Sequence, residues 1–303
     1  MCAAGRRDDM KWRDIEMLTI IFSWGAGLVI VSAVLAILGF LFYWGHESIG
    51  IPLVFGTASP LQALMLSERV FDGLFPAIVG TVMLVVLSIA WAVPIGIATG
   101  IYLVEYANIR VKRVLNLLID ILSGIPSIVV GLFGFALTVF LHKRYSADIQ
   151  PCLLASSAAL ALLVLPYMIR TTQSALEGIP RDIRLTALAL GGTRLQNLFY
   201  VLIPRSLSGI MSGVVLSISR CAEDTAVIML TGAVASAGIP MSVLSRYEAL
   251  PFYIYYISSQ YSSPEELSTG YGAAIILLIL CCLLISVAHF VRRGLTHATL
   301  FRP

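Results

Sequence analysis

The chain has 303 residues, of which 58% are hydrophobic and only 12% charged, with a formal net charge of +3. A soluble domain carries roughly 25% charged residues, so this composition cannot clothe a water-soluble surface and excludes a soluble globular protein. With no long basic run and no nucleic-acid-binding motif, it also excludes a nucleic-acid partner and leaves membrane lipid as the surrounding medium.

Taken in order, residues 1–17 form a polar, charged tail. The apolar run behind it, 18–43, lacks a small-residue cleavage site and reads as an anchor span that stays. An outward segment follows over 44–75, then a core of five spans over 76–291, then a tail over 292–303. A span needs about 20 apolar residues. Six stretches qualify: 18–43, 76–104, 114–141, 152–171, 207–235 and 270–291. Backbone groups in lipid must bond internally, so the spans are helices and the fold class is all-α integral membrane. With the N-terminal tail inside, fifteen Lys and Arg fall on the inner side and four on the outer: Arg69, Lys143, Arg144 and Arg246. That asymmetry places both termini in the cytoplasm of a cell or inner membrane protein, and six spans agree with the parity.

Pro126 lies inside the third expected span, where a missing N–H predicts a kink. Asp120 in the same span is expected at the interface or in the bundle. Arg170, at the cytoplasmic end of span four, has two readings: an anchor snorkelling to the inner surface, or a second anion contact near an inner gate.

The loop over 172–206 is too polar to span and too apolar to be only a linker. Pro180 can open a helix, and Ile183, Ala187 and Leu190 follow at helical spacing. Gly191-Gly192 stops or turns the chain, and a second short helix over 194–202 is expected to end at Pro204. An apolar stripe on a cytoplasmic helix either packs on the chain's own spans or meets a partner.

Span five carries Ser217-Ile218-Ser219-Arg220-Cys221-Ala222-Glu223-Asp224-Thr225-Ala226. Each charge at a helix centre costs about 2.5–3.5 kcal/mol, so three unpaired ones cost about 7–10 kcal/mol by simple addition. Pairing and a wet interior must offset this. Arg220 and Asp224 stand at i and i+4, which predicts Asp224 as the same-face partner, with Glu223 as an extra carboxylate. Either the cluster is an internal ion pair that orients span five, or it lines a transport path. The planar Arg fork suits an oxyanion because it donates two hydrogen bonds at once.

The outward residues over 236–269 hold Phe252-Tyr253-Ile254-Tyr255-Tyr256 and Tyr261, a composition suited to an interfacial belt. The cysteines, Cys2, Cys152, Cys221, Cys281 and Cys282, make no C-x-x-C pair, and the four histidines are scattered, so neither a metal site nor a disulfide framework is indicated. No phosphate-cradling G-x-x-x-x-G-K-[ST] loop and no protease or hydrolase motif occurs, so no enzyme activity and no cofactor are indicated.

The cytoplasmic loop resembles that of ATP-binding cassette importer permeases, which reads Glu-Ala-Ala, three residues, Gly, nine residues, then Ile-x-Leu-Pro. Here Leu185-Thr186-Ala187-Leu188-Ala189-Leu190-Gly191 is followed by nine residues and Val201-Leu202-Ile203-Pro204, with Leu185 in the place of the acid. Gly124-Ile125-Pro126-Ser127-Ile128-Val129-Val130-Gly131-Leu132 resembles the third-span signature of the phosphate-specific permeases within that family. So does Leu165-Pro166 through Arg170-Thr171-Thr172. Their Arg-x-x-Gly-Glu-Thr-Ala run is similar to 220–226, with Glu223 in the place of Gly and Asp224 in the place of Glu. The resemblance covers about 75–235 and implies a permease subunit for inorganic phosphate. It implies as partners a second homologous permease, a homodimeric ATP-binding subunit at Ala187, Leu190, Gly191 and Pro204, and an outer phosphate-binding protein. It adds Thr225 and Ser127 to Arg220, Asp224, Glu223 and Arg170 as path candidates. Two other readings stay open: a permease for another oxyanion such as sulfate or molybdate, and a lone ion-coupled carrier.

Overall fold

The computed structural model describes residues 5–56, 73–145 and 150–300. Cys2, Arg302 and the middle of the expected outward segment, with Arg69, lie outside these residues. In chain order the helices are α1 (Gly5–Gly45), α2 (Ile51–Phe55), α3 (Phe75–Ile101), α4 (Ile109–Gly124), α5 (Ser127–Arg144) and α6 (Leu153–Glu177). Then come α7 (Arg181–Ala189), α8 (Arg194–Asn197), α9 (Ile203–Glu223), α10 (Ala226–Thr231), α11 (Leu250–Gln260) and α12 (Pro264–Leu300). Two π turns interrupt the order, Tyr102–Tyr106 after α3 and Leu198–Leu202 before α9. Among the described residues, six helical stretches are long and apolar enough to cross a membrane: α1, α3, α5, α6, α8 to α9, and α12. The chain is therefore an all-α, six-span integral membrane protein.

The core forms where α6 is sandwiched between α3 and α9. Lipid gives no hydrophobic drive for helices to associate, so close backbone approach matters. A Cβ at Gly213 of α9 would sit 2.0 Å from Thr171 Oγ1 of α6. Gly213→Val must push α9 off α6, and overpacking of this kind costs about 1–3 kcal/mol. A lower melting temperature of the purified protein is the expected result; an unchanged one would mean that the α6–α9 contact carries little. By contrast α1, already helical from Gly5, meets the bundle only at its C-terminal end, where the Phe40 and Tyr271 rings stand edge to face at 5.8 Å.

The third span departs from expectation. It is not one kinked helix over 114–141 but two helices, with the crossing element starting at Ser127. Pro94 and Pro166 are carried inside α3 and α6. Pro126 is not, because the pre-proline residue Ile125 is driven out of the helical region to φ −73°, ψ 128°, right after the poor helix former Gly124. What precedes the break, α4, is amphipathic. Asn108 caps it by accepting from Val111 N at 2.9 Å.

Span five also differs. Pro204 does not end a short helix; the chain runs helically from Arg194 to Glu223. A proline inside a helix removes one bond and clashes with the carbonyl four residues back. The wide π turn at Leu198–Leu202 gives that carbonyl room, and Pro204 sits at the start of α9.

On the outer side, residues 232–249 fold back over the bundle. The free N–H groups at the start of α6 are satisfied there: Cys152 N donates to Thr231 O at 3.1 Å, Leu153 N to Ser245 O at 3.1 Å, and Leu154 N to Val243 O at 2.8 Å. Tyr247, within this segment, is fully buried. The Glu248 carboxylate accepts from Ala237 N and Gly238 N at 2.8 and 2.7 Å. Burial pushes its pKa above the usual carboxylate range, and these two N–H bonds oppose the shift. In the aromatic run that follows, Tyr255, Tyr256 and Tyr261 are exposed while Phe252 and Tyr253 pack inward, so only part of it is available to a belt.

Candidate functional site

The charged cluster lies at a helix break, not on a continuous face. α9 ends at Glu223, and Asp224 is extended at φ −74°, ψ 120°. Its carboxylate accepts from Val227 N at 2.8 Å and so caps the short α10. The i, i+4 partnership expected between Arg220 and Asp224 needs a helix that continues past Glu223, and it does not form. Arg220 Nη1 instead donates to Glu223 Oε1 at 3.0 Å, one turn away on the same face. The carboxylate that sequence left as an extra is the counter-ion, and the one named as partner is a backbone cap.

The Arg220 guanidinium also lies over the Tyr167 ring of α6, 5.9 Å from its centroid. Tyr167 is fourteen residues from Leu153 and ten from Glu177. At 1.5 Å per residue that is about 21 Å from one end of α6 and about 15 Å from the other. The pair is thus near mid-depth. Its side chains are nevertheless 39% and 53% exposed, while Nε of Arg220 is buried without a hydrogen-bond partner. A charge pair at that depth cannot face hydrocarbon cheaply.

The third-span signature supplies the neighbouring wall. A Cβ at Gly131 would come within 2.9 Å of Val227 Cα, so this glycine lets α5 pack directly on α10. Ser127, one turn earlier on α5, is half-buried and sits toward the break. Thr225, also half-buried, lies in the break itself, and its carbonyl accepts from Met229 N at 3.0 Å. Beyond this wall α5 exposes Ile128, Val129 and Leu132.

Arg170 does not join the group. Its Nη1 donates to Asn116 Oδ1 and Gln173 Oε1, both at 3.2 Å, and Nη2 to Asn116 O at 3.2 Å and to Asp120 Oδ1. These contacts tie α6 to α4. Tyr167, Asn116 and Gln173 are the partners of Arg220 and Arg170 that sequence reasoning missed, since helical periodicity cannot show which helices meet.

The cytoplasmic helix α7 ends in a Schellman turn. Gly192 N donates to Ala187 O at 2.8 Å and Gly191 N to Leu188 O at 3.0 Å, with Gly191 at φ +79°. Thr193 and Gln196 then form a capping box that starts α8. The expected stripe splits. Ile183 packs on Leu176, Ile179, Leu198 and Leu202, and Ala187 is half-buried. Leu185, Leu188 and the 85% exposed Leu190 point away from the bundle. One side of α7 is bound to its own chain, and an apolar side is left open.

Comparison with known proteins gives a consistent pattern. Residues 92–297 match the family described as binding-protein-dependent transport system inner membrane component. The chain is 32% identical over 232 residues to "Phosphate transport system permease protein PstA 1" of Mycobacterium tuberculosis (strain CDC 1551 / Oshkosh), covering 75% of this chain and 73% of that protein. It is 33% identical over 213 residues to "Phosphate transport system permease protein PstA" of Haemophilus influenzae, covering 70% and 73%. Among solved structures it is similar to a chain of a bacterial alginate ABC transporter in complex with an alginate-bound periplasmic protein. The TM-score there is 0.63 at 15% identity, over 94% of this chain and 98% of that one. It is also similar to a chain of the inward-facing MetNI methionine ABC transporter, at TM-score 0.56 and 18% identity, over 79% and 100%. These two likenesses concern the fold alone.

Proposed function

The chain belongs to the family of binding-protein-dependent transport system inner membrane components, and on that premise we propose that it is the membrane permease subunit of an ATP-driven importer for inorganic phosphate. The observation that carries the reading is the Arg220–Glu223 pair, held near mid-depth yet open to the outside of the fold. A second permease closes over that face, and the path runs between the two subunits past Arg220, Thr225 and Ser127. Arg220 offers the arriving oxyanion a charged, two-pronged donor. Glu223 neutralises the guanidinium between passages and competes with the anion for it, which keeps phosphate from binding too tightly to leave. Asp224 takes no anion; it fixes the turn that aims the cluster.

ATP hydrolysis belongs to a separate pair of subunits, docked on the open Leu185, Leu188 and Leu190 side of α7. Where relatives carry an acid, Leu185 makes the contact apolar. A binding protein on the outer face delivers phosphate.

Labelled phosphate uptake into vesicles holding this chain with its partner subunits tests the assignment. Unlabelled phosphate should abolish the signal, while sulfate and molybdate in equal excess should leave it. Equal competition by sulfate would overturn the phosphate assignment, and uptake without any ATPase would overturn the importer reading.

A further inference from the structure

A helix that receives force from an ATPase must hand it to the spans through defined contacts. The two chain connections of α7 are turns, at Gly178–Pro180 and at Gly191-Gly192, and turns transmit little directional force. Beside α7 lies an open groove of about 360 Å³, lined by Ser174, Ile179, Pro180, Ile183, Arg205 and Gly209.

Among the described residues, the polar links from α7 to the bundle converge on Arg184. Arg184 Nη2 lies 3.0 Å from Glu105 Oε1, and both side chains are three-quarters buried. The same Nη2 donates to Leu176 O at 3.0 Å, and the Arg184 carbonyl accepts from Asn197 Nδ2 at 2.9 Å. Glu105 stands in the π turn that closes α3, and Asn197 leads directly into the π turn that opens α9. The neighbouring Ile183 packs into the cluster that contains Leu198 and Leu202 of that second turn. One turn of α7 thus touches both π turns at once.

The contact with Glu105 is an ion pair without an aligned hydrogen bond, since Oε1 accepts none. Coulomb attraction is not directional, so it holds while the partners rotate. Partial burial shields it from salt better than a surface pair. π turns are rare single-turn interruptions of α-helices that occur frequently at functional sites.

Taking α7 as the ATPase-docking helix, we propose that Arg184 and Glu105 form a positioning pair that carries displacement of α7 into α3, with the two π turns as its compliant joints. Arg184 and Glu105 are three-quarters buried whereas Leu185, Leu188 and Leu190 are exposed, so docking and transmission rest on different side chains. Glu105→Gln and Arg184→Gln should leave the ATPase co-purifying with the chain. They should lower uptake, and the hydrolysis stimulated by phosphate-loaded binding protein, by about tenfold, within the usual range of coupling between sites.

The test uses the whole transporter in proteoliposomes and compares both single variants with the reversed pair Glu105→Arg, Arg184→Glu. Recovery of stimulated hydrolysis by the reversed pair supports a charge link. Single variants that keep stimulated uptake within about twofold of the parent, a reversed pair that recovers nothing, or loss of ATPase capture in the single variants would each overturn the proposal. Failure of the parent chain itself to hold an ATPase would overturn the docking reading instead.

Discussion

Arg220→Gln is expected to abolish phosphate uptake by the assembled transporter, with a fall of about a hundredfold or more. Glutamine keeps a polar head, two bonds shorter, and gives no charged fork. Removing one partner of a hydrogen-bonded charge pair costs about 2–5 kcal/mol, and about 2.8 kcal/mol is already a hundredfold. The variant leaves Glu223 at mid-depth without its cation, so assembly must be checked by co-purification of the partner subunits. Glu223→Gln separates the roles. It frees the guanidinium from its counter-ion, so phosphate should bind more tightly and leave more slowly. The concentration for half-maximal uptake should fall together with the maximal rate, the pattern of an over-stabilised bound state. If Arg220→Gln keeps uptake within about twofold while the subunits assemble, the pair is structural and the proposed path lies elsewhere.

The second large effect is expected at Gly191. A side chain there meets nothing within 4 Å, so the fold does not reject it sterically. The cost is the backbone at φ +79°, about 1–2 kcal/mol for an L-residue in the left-handed region. Gly191→Ala carries that cost and nothing more. Gly191→Trp carries the same cost and also places an indole beside Leu190, on the side assigned to the ATPase. The alanine variant should therefore still capture the ATPase in a pull-down, and the tryptophan variant should lose it. Retention by both would move docking off this end of α7, and loss by both would make the turn, rather than the face, the critical element.

The six spans were legible because hydropathy over about 20 residues is a one-dimensional property. The expected orientation rests on a one-dimensional property too, the skew of Lys and Arg. The ends of spans three and five were not legible, because an apolar run looks the same whether the backbone stays helical or opens. Ile125 and Asp224 are both extended, and both sit inside such runs. The misassigned partner of Arg220 follows directly: an i, i+4 pairing holds only while the helix lasts, and Asp224 is the residue that ends it by capping the next one. Contacts between spans were beyond reach altogether. Nothing in a single chain of letters joins Arg220 to Tyr167, Arg170 to Asn116, or Arg184 to Glu105. Each pair is 50 or more residues apart and meets only after the two elements that carry it have packed.

The open charge pair on α9 also bears on the life of the chain before it is assembled. A copy alone in a bilayer would turn Arg220 and Glu223 toward acyl chains, at a cost of about 2.5–3.5 kcal/mol for each charge left unsolvated. That penalty disappears once a companion subunit and its water cover the face. The residues proposed to carry the anion therefore double as a mark of incompleteness. A copy without its companion is therefore the less stable one, by the same two side chains.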